Sequence, residues 1–556
     1  MPQAPDAILA ETAALLDTGA AAEAVPALQR GRLQHPDHAG IALRLADALQ
    51  LSGKLAEAVR AYSAALRLAP DSTAGWYGAG CARLELKSYG AAAAAFGRTI
   101  ELAPGFGSAQ YNLAKSVFQL GRVETAIELF ERAAALDPAL KQRALASVAC
   151  IIPGSSDAGL VAVLKARRRW AEAEARGLPK PRRSATAPLA GRKLRLGYLS
   201  AFFGDRNWMK PVFALINRHD RAAFEIHLFS DGEPPTEAAG YRDHEADIVH
   251  DLRGVPNDAA AGIIAGRSID VLVDLNGYSL QPRLPLLMRR PAPNIVGWFN
   301  SFATSGMAAV DWLVGDAAVV PAGEKKQYGE RIHRVPGTYL PFEILYPVPD
   351  VAPPPCAVAG APITFGCLGS HYKLTDIVLA AWAQILRAAP AARLFVKNGA
   401  LEDSSTCEDL LGRLNALGIE PARVTLEGRS EHFDFLGAYR HVDIALDTFP
   451  YNGGTTTTEA LWQGVPVLAF DGDRWAGRTS KSLLLAAGLA DWVMPDVASY
   501  VQRAVTLAAD PATPSILTGL RNGMRRRLAS SAACNTDGFC RAMERFYLGL
   551  ATPVHR

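Results

Sequence analysis

The sequence predicts an α-helical repeat superhelix followed by an α/β region of two domains, each built on a parallel sheet. Three observations support this fold class: a proline that recurs every 34 residues, two series of short apolar runs that alternate with helical stretches, and proline-rich segments between these parts. The chain has 556 residues, which is more than one hydrophobic core usually supports. We therefore expect three domains.

The N-terminal part is predicted to be a repeat array. Proline stands at Pro36, Pro70, Pro104 and Pro138, and other residue types keep the same step. The small and aromatic residues that do so are Ala46, Gly80 and Ala114; Ala58, Ala92 and Ala126; and Tyr62, Phe96 and Phe130. Small residues fit where two helices of a hairpin touch, and proline ends a helix. The pattern resembles the tetratricopeptide repeat, with a degenerate first repeat within residues 4–36 and three further repeats.

The helical part extends beyond the repeats. Residues 139–176 are also predicted to be helical and to cap the array, which would then span residues 1–176. Such arrays stack into superhelices whose concave face binds extended or helical peptides. The alternative is a spacer or a dimerisation element.

The rest of the chain alternates strand and helix patterns. Residues 177–193 mix proline, basic and small residues and are predicted to form a linker. Residues 194–347 and 363–556 each show the pattern of parallel sheets with crossover helices, and the proline-rich segment 348–362 suits a hinge between them. Two such Rossmann-like domains form a cleft at the carboxyl ends of their strands. Since no GxGxxG or GxxxxGK[ST] motif follows a strand, the GT-B fold of sugar transferases is favoured over dehydrogenases and P-loop enzymes.

Composition and charge exclude several classes of function. The formal charge of +3 is small for this length and gives no reason to expect nucleic acid as a partner. No window approaches the ~18 apolar residues of a membrane span, and the N-terminus lacks the basic residues of a signal peptide. The seven cysteines form no CxxC pair, which argues against a disulfide framework and a zinc site. We expect a cytoplasmic protein with reduced thiols.

The stretch DTFPYNGGTTTTEALWQG, residues 447–464, has the pattern of an anion site. It follows a predicted strand, and a helix is expected to begin near Thr455. The first amides of a helix lack partners and attract anions, and Gly453 and Gly454 allow a ligand to approach closely. Threonine hydroxyls can cap the helix or donate to phosphate oxygens. From these residues alone, a nucleotide diphosphate site and a plain N-cap after a turn are both open.

This stretch resembles the donor-site segment of glycosyltransferase family 41, the protein O-GlcNAc transferases, and especially its SPINDLY branch. Further segments follow in that family's order: DVLVDLNGY, RRPAPNIVGWFNSFATSGMAAVDWLVGD, ITFGCLGSHYKL and FDGDRWAGRTSKSLL. A repeat array ahead of the catalytic region is also that family's layout. The resemblance covers nearly the whole chain and implies a GT-B transferase.

Carried over residue by residue, the resemblance implies a catalytic lysine at Lys373, which would contact the donor diphosphate and support the departing nucleotide. Thr455 and Thr456 match the pair that contacts phosphate, and Glu459 matches the acidic position that accepts hydrogen bonds from the ribose. The other implied donor-binding residues are Arg429, Gly453, Gly454, Arg478 and Tyr372, the last of which could also line the acceptor side. The DGD at 471–473 looks like a metal-binding DxD motif. The resemblance instead implies that this loop contributes backbone groups and Arg478 near the donor. No metal and no other cofactor is therefore expected.

The acceptor side departs from the family. Family members usually carry a histidine in the loop after the first catalytic strand, whereas Arg206 and Lys210 fall at the matching positions here. Because arginine cannot accept a proton at neutral pH, this basic pair suits donor phosphates or an acidic acceptor. Asp205 is a candidate base, although a role in the turn is favoured. In FNSFATSG, Thr304 and Ser305 match the family and the preceding residues do not.

We therefore predict an inverting protein O-glycosyltransferase that moves a sugar from a nucleotide diphosphate donor to Ser or Thr of a protein held by the repeats. The resemblance makes UDP-GlcNAc the leading donor, and the run of threonines keeps GDP-fucose as the alternative. A dedicated bacterial acceptor such as flagellin is a variant of the same hypothesis. A peptide-binding scaffold that has lost catalysis is the rival of another class. The sequence leaves homo-oligomerisation open.

Overall fold

The computed structural model describes residues 3–178, 188–189 and 191–551. Its N-terminal part consists of helices joined by short turns. These helices are α1 (Pro5–Asp17), α2 (Ala21–Gln34), α3 (Ala39–Leu51), α4 (Leu55–Leu68), α5 (Thr73–Glu85), α6 (Tyr89–Leu102), α7 (Gly107–Gln119), α8 (Val123–Leu136), α9 (Lys141–Ile151) and α10 (Leu160–Glu174). The pairs α3 and α4, α5 and α6, and α7 and α8 are the three repeats that the period predicts, and α1 packs on α2 as the degenerate one.

Small residues explain the close packing of these helices. Ala58, Ala92 and Ala126, one repeat apart, are completely buried. Gly80 lies against the ring of Phe96, and a Cβ at this glycine would stand 2.6 Å from the ring. The aromatic side chain of one helix thus occupies space that only a small residue of its neighbour leaves free.

The first α/β domain is a sheet of seven parallel strands in the order β3-β2-β1-β4-β5-β6-β7. Its strands are β1 (Leu194–Ser200), β2 (Phe224–Ser230), β3 (Ile248–Asp251), β4 (Val271–Asp274), β5 (Asn294–Gly297), β6 (Trp312–Gly315) and β7 (Arg331–Arg334), and its helices are α11 (Arg206–Ile216), α12 (Asn257–Gly266) and α13 (Leu284–Met288). The central strands β4 and β5 are buried along their whole length. Burial on both faces explains why these strands are continuous apolar runs in the sequence.

The second α/β domain has six parallel strands in the order β10-β9-β8-β11-β12-β13. Its strands are β8 (Thr364–Cys367), β9 (Arg393–Lys397), β10 (Val424–Glu427), β11 (Ile444–Leu446), β12 (Val467–Phe470) and β13 (Val493–Met494). The helices that follow β8 in the chain are α14 (Asp376–Ala388), α15 (Ser404–Ala416), α16 (His432–Gly437), α17 (Thr455–Trp462), α18 (Thr479–Ala486), α19 (Val497–Ala509), α20 (Thr513–Ala529) and α21 (Thr536–Ala551). The predicted fold class, a tetratricopeptide superhelix followed by the two Rossmann-like domains of a GT-B fold, is confirmed.

The last helix differs from the sequence expectation, which placed all of residues 363–556 in the second domain. Helix α21 returns to the first domain, where Phe539, Met543 and Tyr547 join the apolar core. Its Glu544 accepts a hydrogen bond from the backbone N–H of Asp220 at 2.9 Å. The chain therefore crosses between the two domains a second time after the hinge segment.

The repeat array contacts both α/β domains. On the second domain, the Arg413 guanidinium donates to the backbone oxygen of Leu120 at 2.7 Å, and the ring of Phe118 stacks on Tyr372. On the first domain, Arg167 of α10 donates to the backbone oxygen of Thr304 at 2.7 Å. The array is thus part of the wall around the space between the two domains.

Two further sequence expectations concern the linker and membrane-spanning helices. The predicted linker, residues 177–193, lies largely outside the described residues. Within the described ranges, no helix is both long enough and apolar enough to cross a membrane.

Candidate functional site

The strand order places the predicted donor residues at one point of the second sheet. Its order reverses between β8 and β11, and ligands of open parallel sheets bind at such switch points because the two flanking loops diverge there. The loop after β8 carries Lys373, and the loop after β11 carries residues 447–454. The structure therefore brings Lys373 beside the start of the threonine helix α17.

Lys373 is held by the loop that it faces. Its ammonium donates to the backbone oxygen of Asn452 at 2.8 Å and lies 4.5 Å from the ring centroid of Tyr451. Burial lowers the pKa of Lys373 to about 8, and the carboxylate of Asp447 opposes this shift. At neutral pH the lysine keeps its proton and presents a positive charge.

Helix α17 begins at Thr455, as predicted, and Gly454 precedes it. Within the described residues, no side chain caps this helix end, so the amides of its first turn are available to a ligand. The hydroxyls of Thr457 and Ser480 are 2.8 Å apart, and Ser480 donates to the backbone oxygen of Gly453. These hydrogen bonds hold the turn in place, while the amides in the first turn of α17 stay available. This arrangement favours anion binding over the plain N-cap.

Asp447 directly follows β11 and supports the glycine turn. Its Oδ1 accepts a hydrogen bond from the N–H of Gly453 at 3.0 Å. Burial raises the pKa of Asp447 to about 6, and the hydrogen bond from Gly453 opposes that rise. A small cavity of ≈ 30 Å³ lies between this turn and the loop after β8, lined by Lys373, Asp447, Gly453 and Thr456 among others. A cation, helix amides and hydroxyls thus surround one space.

Glu459 and Lys210, predicted for opposite sides of the site, form one buried ion pair. The Lys210 ammonium donates to Oε1 of Glu459 at 2.8 Å and to the hydroxyl of Tyr346 at 3.0 Å. Both side chains are almost completely buried, at 2% and 3% exposure. Burial raises the pKa of Glu459, and the Lys210 ammonium opposes that rise. The ring of His432 completes the cluster, with Nε2 3.8 Å from Glu459.

Arg206 lies close to the same cluster. Its guanidinium is 5.4 Å from the ring centroid of Tyr346. Asp205 is the N-cap of α11 and accepts hydrogen bonds from the amides of Asn207 and Trp208 at 3.2 and 3.4 Å. The turn role of Asp205 is therefore the one that the structure supports.

Arg478 is occupied by protein partners. Its guanidinium forms a two-pronged ion pair with Glu324 of the first domain, at 2.8 and 2.7 Å, and donates to the backbone oxygen of Gly472 at 2.5 Å. The neighbouring acids of the DGD motif have basic partners too: Asp471 pairs with Lys481 at 2.6 Å, and Asp473 with Arg474 at 2.7 Å. Arg429, by contrast, is exposed after β10. The donor roles predicted for Arg478 and Arg429 stay predictions.

Thr304 and Ser305 are buried and tied to Glu330. The Thr304 hydroxyl donates to Oε2 of Glu330 at 2.7 Å, and the Ser305 amide donates to Oε1 at 2.6 Å. The backbone oxygen of Thr304 also accepts from Arg167 of the repeat array. These contacts hold the loop in place between array and sheet, and the predicted contact of this pair with the acceptor stays a prediction.

Sequence reasoning missed two kinds of residue at the site. The side chain of Asn452 is only 3% exposed, yet in the described structure neither its amide oxygen nor its nitrogen has a hydrogen-bond partner. Unpaired buried amides are rare and call for a ligand or water. The second kind comes from the array, where Phe118 and Arg167 line a larger cavity that also reaches Lys373. Asn452 lay in the quoted stretch and could have been found there, whereas no local pattern marks the array residues.

The comparisons with known proteins match the chain in the parts that the fold shows. The model of glycosyl transferase family 41 matches residues 180–343 and 358–543. Two tetratricopeptide repeat models match residues 15–79 and 77–140. The family match covers the two α/β domains, and the repeat matches cover the array.

Two plant relatives match much of this chain. The chain is 30% identical over 432 residues to a probable UDP-N-acetylglucosamine–peptide N-acetylglucosaminyltransferase SPINDLY of Oryza sativa subsp. japonica, with 76% of this chain and 45% of the relative covered. For the SPINDLY protein of Arabidopsis thaliana, the identity is 32% over 364 residues, covering 64% of this chain and 39% of the relative. The chain thus spans less than half the length of these plant relatives.

A solved structure resembles nearly the whole molecule. It is a mutant of the O-GlcNAc transferase of Thermobaculum terrenum, which superimposes with a TM-score of 0.77 at 30% identity. The similarity covers 92% of this chain and 98% of the other. The arrangement of array and two α/β domains is therefore shared with that protein.

Proposed function

Because the chain belongs to glycosyl transferase family 41, we propose that it transfers a sugar from a nucleotide diphosphate donor to a Ser or Thr hydroxyl of a protein that the repeats hold. The observation that carries this proposal is the pairing of a protonated Lys373 with the uncapped start of α17 at a sheet switch point. Both elements attract the same ligand group, a diphosphate.

The proposed chemistry follows from where charge develops. As the bond between the sugar and the diphosphate breaks, negative charge accumulates on the departing nucleotide. A fixed ammonium at Lys373 and the amides of Thr455 and Thr456 stabilise that charge more in the transition state than in the ground state, which accelerates the reaction. We propose that these groups do the work for which other sugar transferases use a metal ion.

The donor is proposed to be UDP-GlcNAc, because the named relatives carry this sugar nucleotide in their descriptions. GDP-fucose is the alternative donor, because the run of threonines resembles that of the SPINDLY branch. For Glu459 to accept hydrogen bonds from a ribose, its ion pair with Lys210 must open or rotate, since Oε1 is occupied at 2.8 Å. Donor binding is therefore proposed to rearrange the Lys210 side chain.

Thermal shift with UDP-GlcNAc, GDP-fucose and a CMP-sugar, each with and without a chelator, tests the donor. We expect one nucleotide sugar to stabilise the protein equally in both conditions, and a radiolabelled version of that donor to label acceptor peptides. Stabilisation that disappears with the chelator would contradict the metal-free mechanism. Stabilisation by no donor, together with peptide binding, would favour the scaffold.

A lysine variant tests the catalytic assignment. Lys373→Met should abolish transfer while leaving peptide binding intact, because only the leaving group loses its partner. The control is Lys397→Met, which removes another lysine of the same domain whose ammonium contacts Gly428 rather than the site. Full turnover by Lys373→Met would remove the catalytic assignment.

A further inference from the structure

A second, larger cavity lies where the array and the two α/β domains meet. Its volume is ≈ 230 Å³, and each of the three parts contributes to its wall. The array gives Phe118 and Gly154, the first domain gives Phe302, and the second gives Tyr372 and Tyr451. No single domain would form this cavity alone.

Aromatic rings form a continuous wall of the cavity. Phe118 of α7 stacks on Tyr372 with ring centroids 5.1 Å apart and planes 24° apart. Tyr372 meets Tyr451 at 6.3 Å, and Tyr451 meets Phe302 edge to face at 5.4 Å. These distances are those of favourable ring contacts, and a further ring could extend the same series.

Lys373 joins this cavity to the proposed diphosphate site, since it lines both spaces. An occupant of the larger cavity would therefore lie next to the sugar that is transferred. The repeat array, where the acceptor is proposed to bind, forms one wall of the same cavity. The position thus suits a side chain of the acceptor close to the modified hydroxyl.

The charges and polar groups of the wall favour a ring over a sugar. Among the lining residues of the described structure, Arg167 and Lys373 are cations and none is a carboxylate, and cations favour the faces of aromatic rings. Arg167 already donates to the backbone oxygens of Ala149 and Thr304, and Asn300 donates to that of Leu275. Thr375 also donates to a backbone oxygen, that of Phe449. A sugar would find Ser279 and Gln281 as further polar partners but would lose more hydrogen bonds to water than these two replace, which is costly.

We propose that this cavity binds an aromatic side chain of the acceptor protein, a few residues away from the Ser or Thr that receives the sugar. The inference rests on the proposed function and specifies its substrate: the enzyme selects hydroxyls that have an aromatic neighbour at a fixed distance along the chain.

A set of peptides tests the preference. Each peptide has one Ser among alanines, and a single Phe is moved through the neighbouring positions; the parent contains no Phe. We expect kcat/KM to rise about tenfold or more at one position only, as burial of a ring predicts. Equal values of kcat/KM for all peptides would overturn this inference and leave the proposed function standing. Absence of transfer from every donor to every peptide would overturn the proposed function, and the inference with it.

A cavity-filling variant tests the location. A Cβ built at Gly154 would lie 3.9 Å from Tyr451 and 4.0 Å from Val123, so Gly154→Leu can enter the cavity without a backbone collision. It should remove the preference for Phe over the parent peptide, while the affinity for the nucleotide diphosphate stays unchanged. Gly97→Leu is the matched control, since this array glycine has no atom within 4 Å of its Cβ position and lies away from the cavity.

The outcomes distinguish an aromatic side chain of the acceptor from the donor sugar as the occupant of the cavity. If Gly154→Leu abolishes transfer to all peptides while the protein stays folded by thermal melting, the cavity holds the donor sugar and the inference is wrong. Phe118→Ala provides a second variant that enlarges the cavity, and it should shift the preference from Phe towards Trp. An unchanged preference in both variants would also overturn the inference.

Discussion

Lys373 is expected to weaken the fold that it serves. Its pKa lies at about 8 in the folded protein, against the usual value of 10.5, because burial disfavours the ammonium. This difference corresponds to about 3 kcal/mol. Since the cavities on either side let solvent reach the group, we expect Lys373→Met to raise the free energy of unfolding by about 1–3 kcal/mol at pH 7.

The pH dependence gives this prediction its sign. Below pH 8 the lysine is protonated in both the folded and the unfolded protein, and the folded state carries the full cost of burying the charge. Between pH 8 and 10.5 the folded protein loses the proton first, so the unfolded state binds more protons and stability rises with pH. The stability gained by Lys373→Met should therefore be largest at pH 7 and shrink across this window.

Urea unfolding of wild type and variant at a series of pH values between 7 and 10.5 measures the effect, and the difference between the two proteins cancels the other titrating groups. Lys397→Met is the control in the same domain, because its ammonium has a carboxylate partner in Glu427 at 3.2 Å. This control should lose stability at pH 7. A Lys373→Met variant that is less stable than wild type at pH 7, or a difference that does not change with pH, would refute the reasoning.

Further substitutions probe three places around the site. Lys210→Met leaves Glu459 buried without its cation and should lower the free energy of unfolding by about 3–5 kcal/mol; urea denaturation measures this, and adding Glu459→Gln should recover part of the loss. Gly453→Ala places a methyl group against the hydroxyls of the helix start, so calorimetry should show roughly tenfold weaker binding of the nucleotide diphosphate, about 1.4 kcal/mol. Gly454→Ala, whose Cβ would lie at an ordinary contact distance of 3.5 Å from Thr479, should weaken binding less than Gly453→Ala. Arg167→Lys cannot keep contacts with two backbone oxygens and a ring at once, so hydrogen exchange should accelerate in α10; unchanged protection would contradict this.

Much of the fold was predictable because it rests on local patterns. The spacing of prolines and alanines follows from helix packing within each repeat, and the apolar runs follow from strands buried on both faces. The helix start at Thr455 was predictable for the same reason, since glycine and threonine act on the backbone next to them.

The unpredicted features depend on contacts between residues far apart in the sequence. Lys210 and Glu459 are 249 residues apart, and each has a plausible local role that gives no hint of the other. The resemblance implies a donor contact for Arg478, and nothing near it in the sequence indicates its partner Glu324, which lies 154 residues earlier in another domain. Helix α21 returns to the first domain because its apolar face completes that core, and amphipathicity does not reveal which core a helix will join.

The repeat array also has a mechanical consequence. The two α/β domains are joined by the hinge segment, by the return of the chain into α21 and, independently, by the array, which contacts the first domain through Arg167 and the second through Arg413. Two domains that are connected at several places cannot move apart without deforming at least one of the connections. Repeat arrays deform elastically, because each repeat contacts only its neighbours. The stiffness of the array therefore contributes to how readily the cleft widens, and a ligand that stiffens the array would slow this opening.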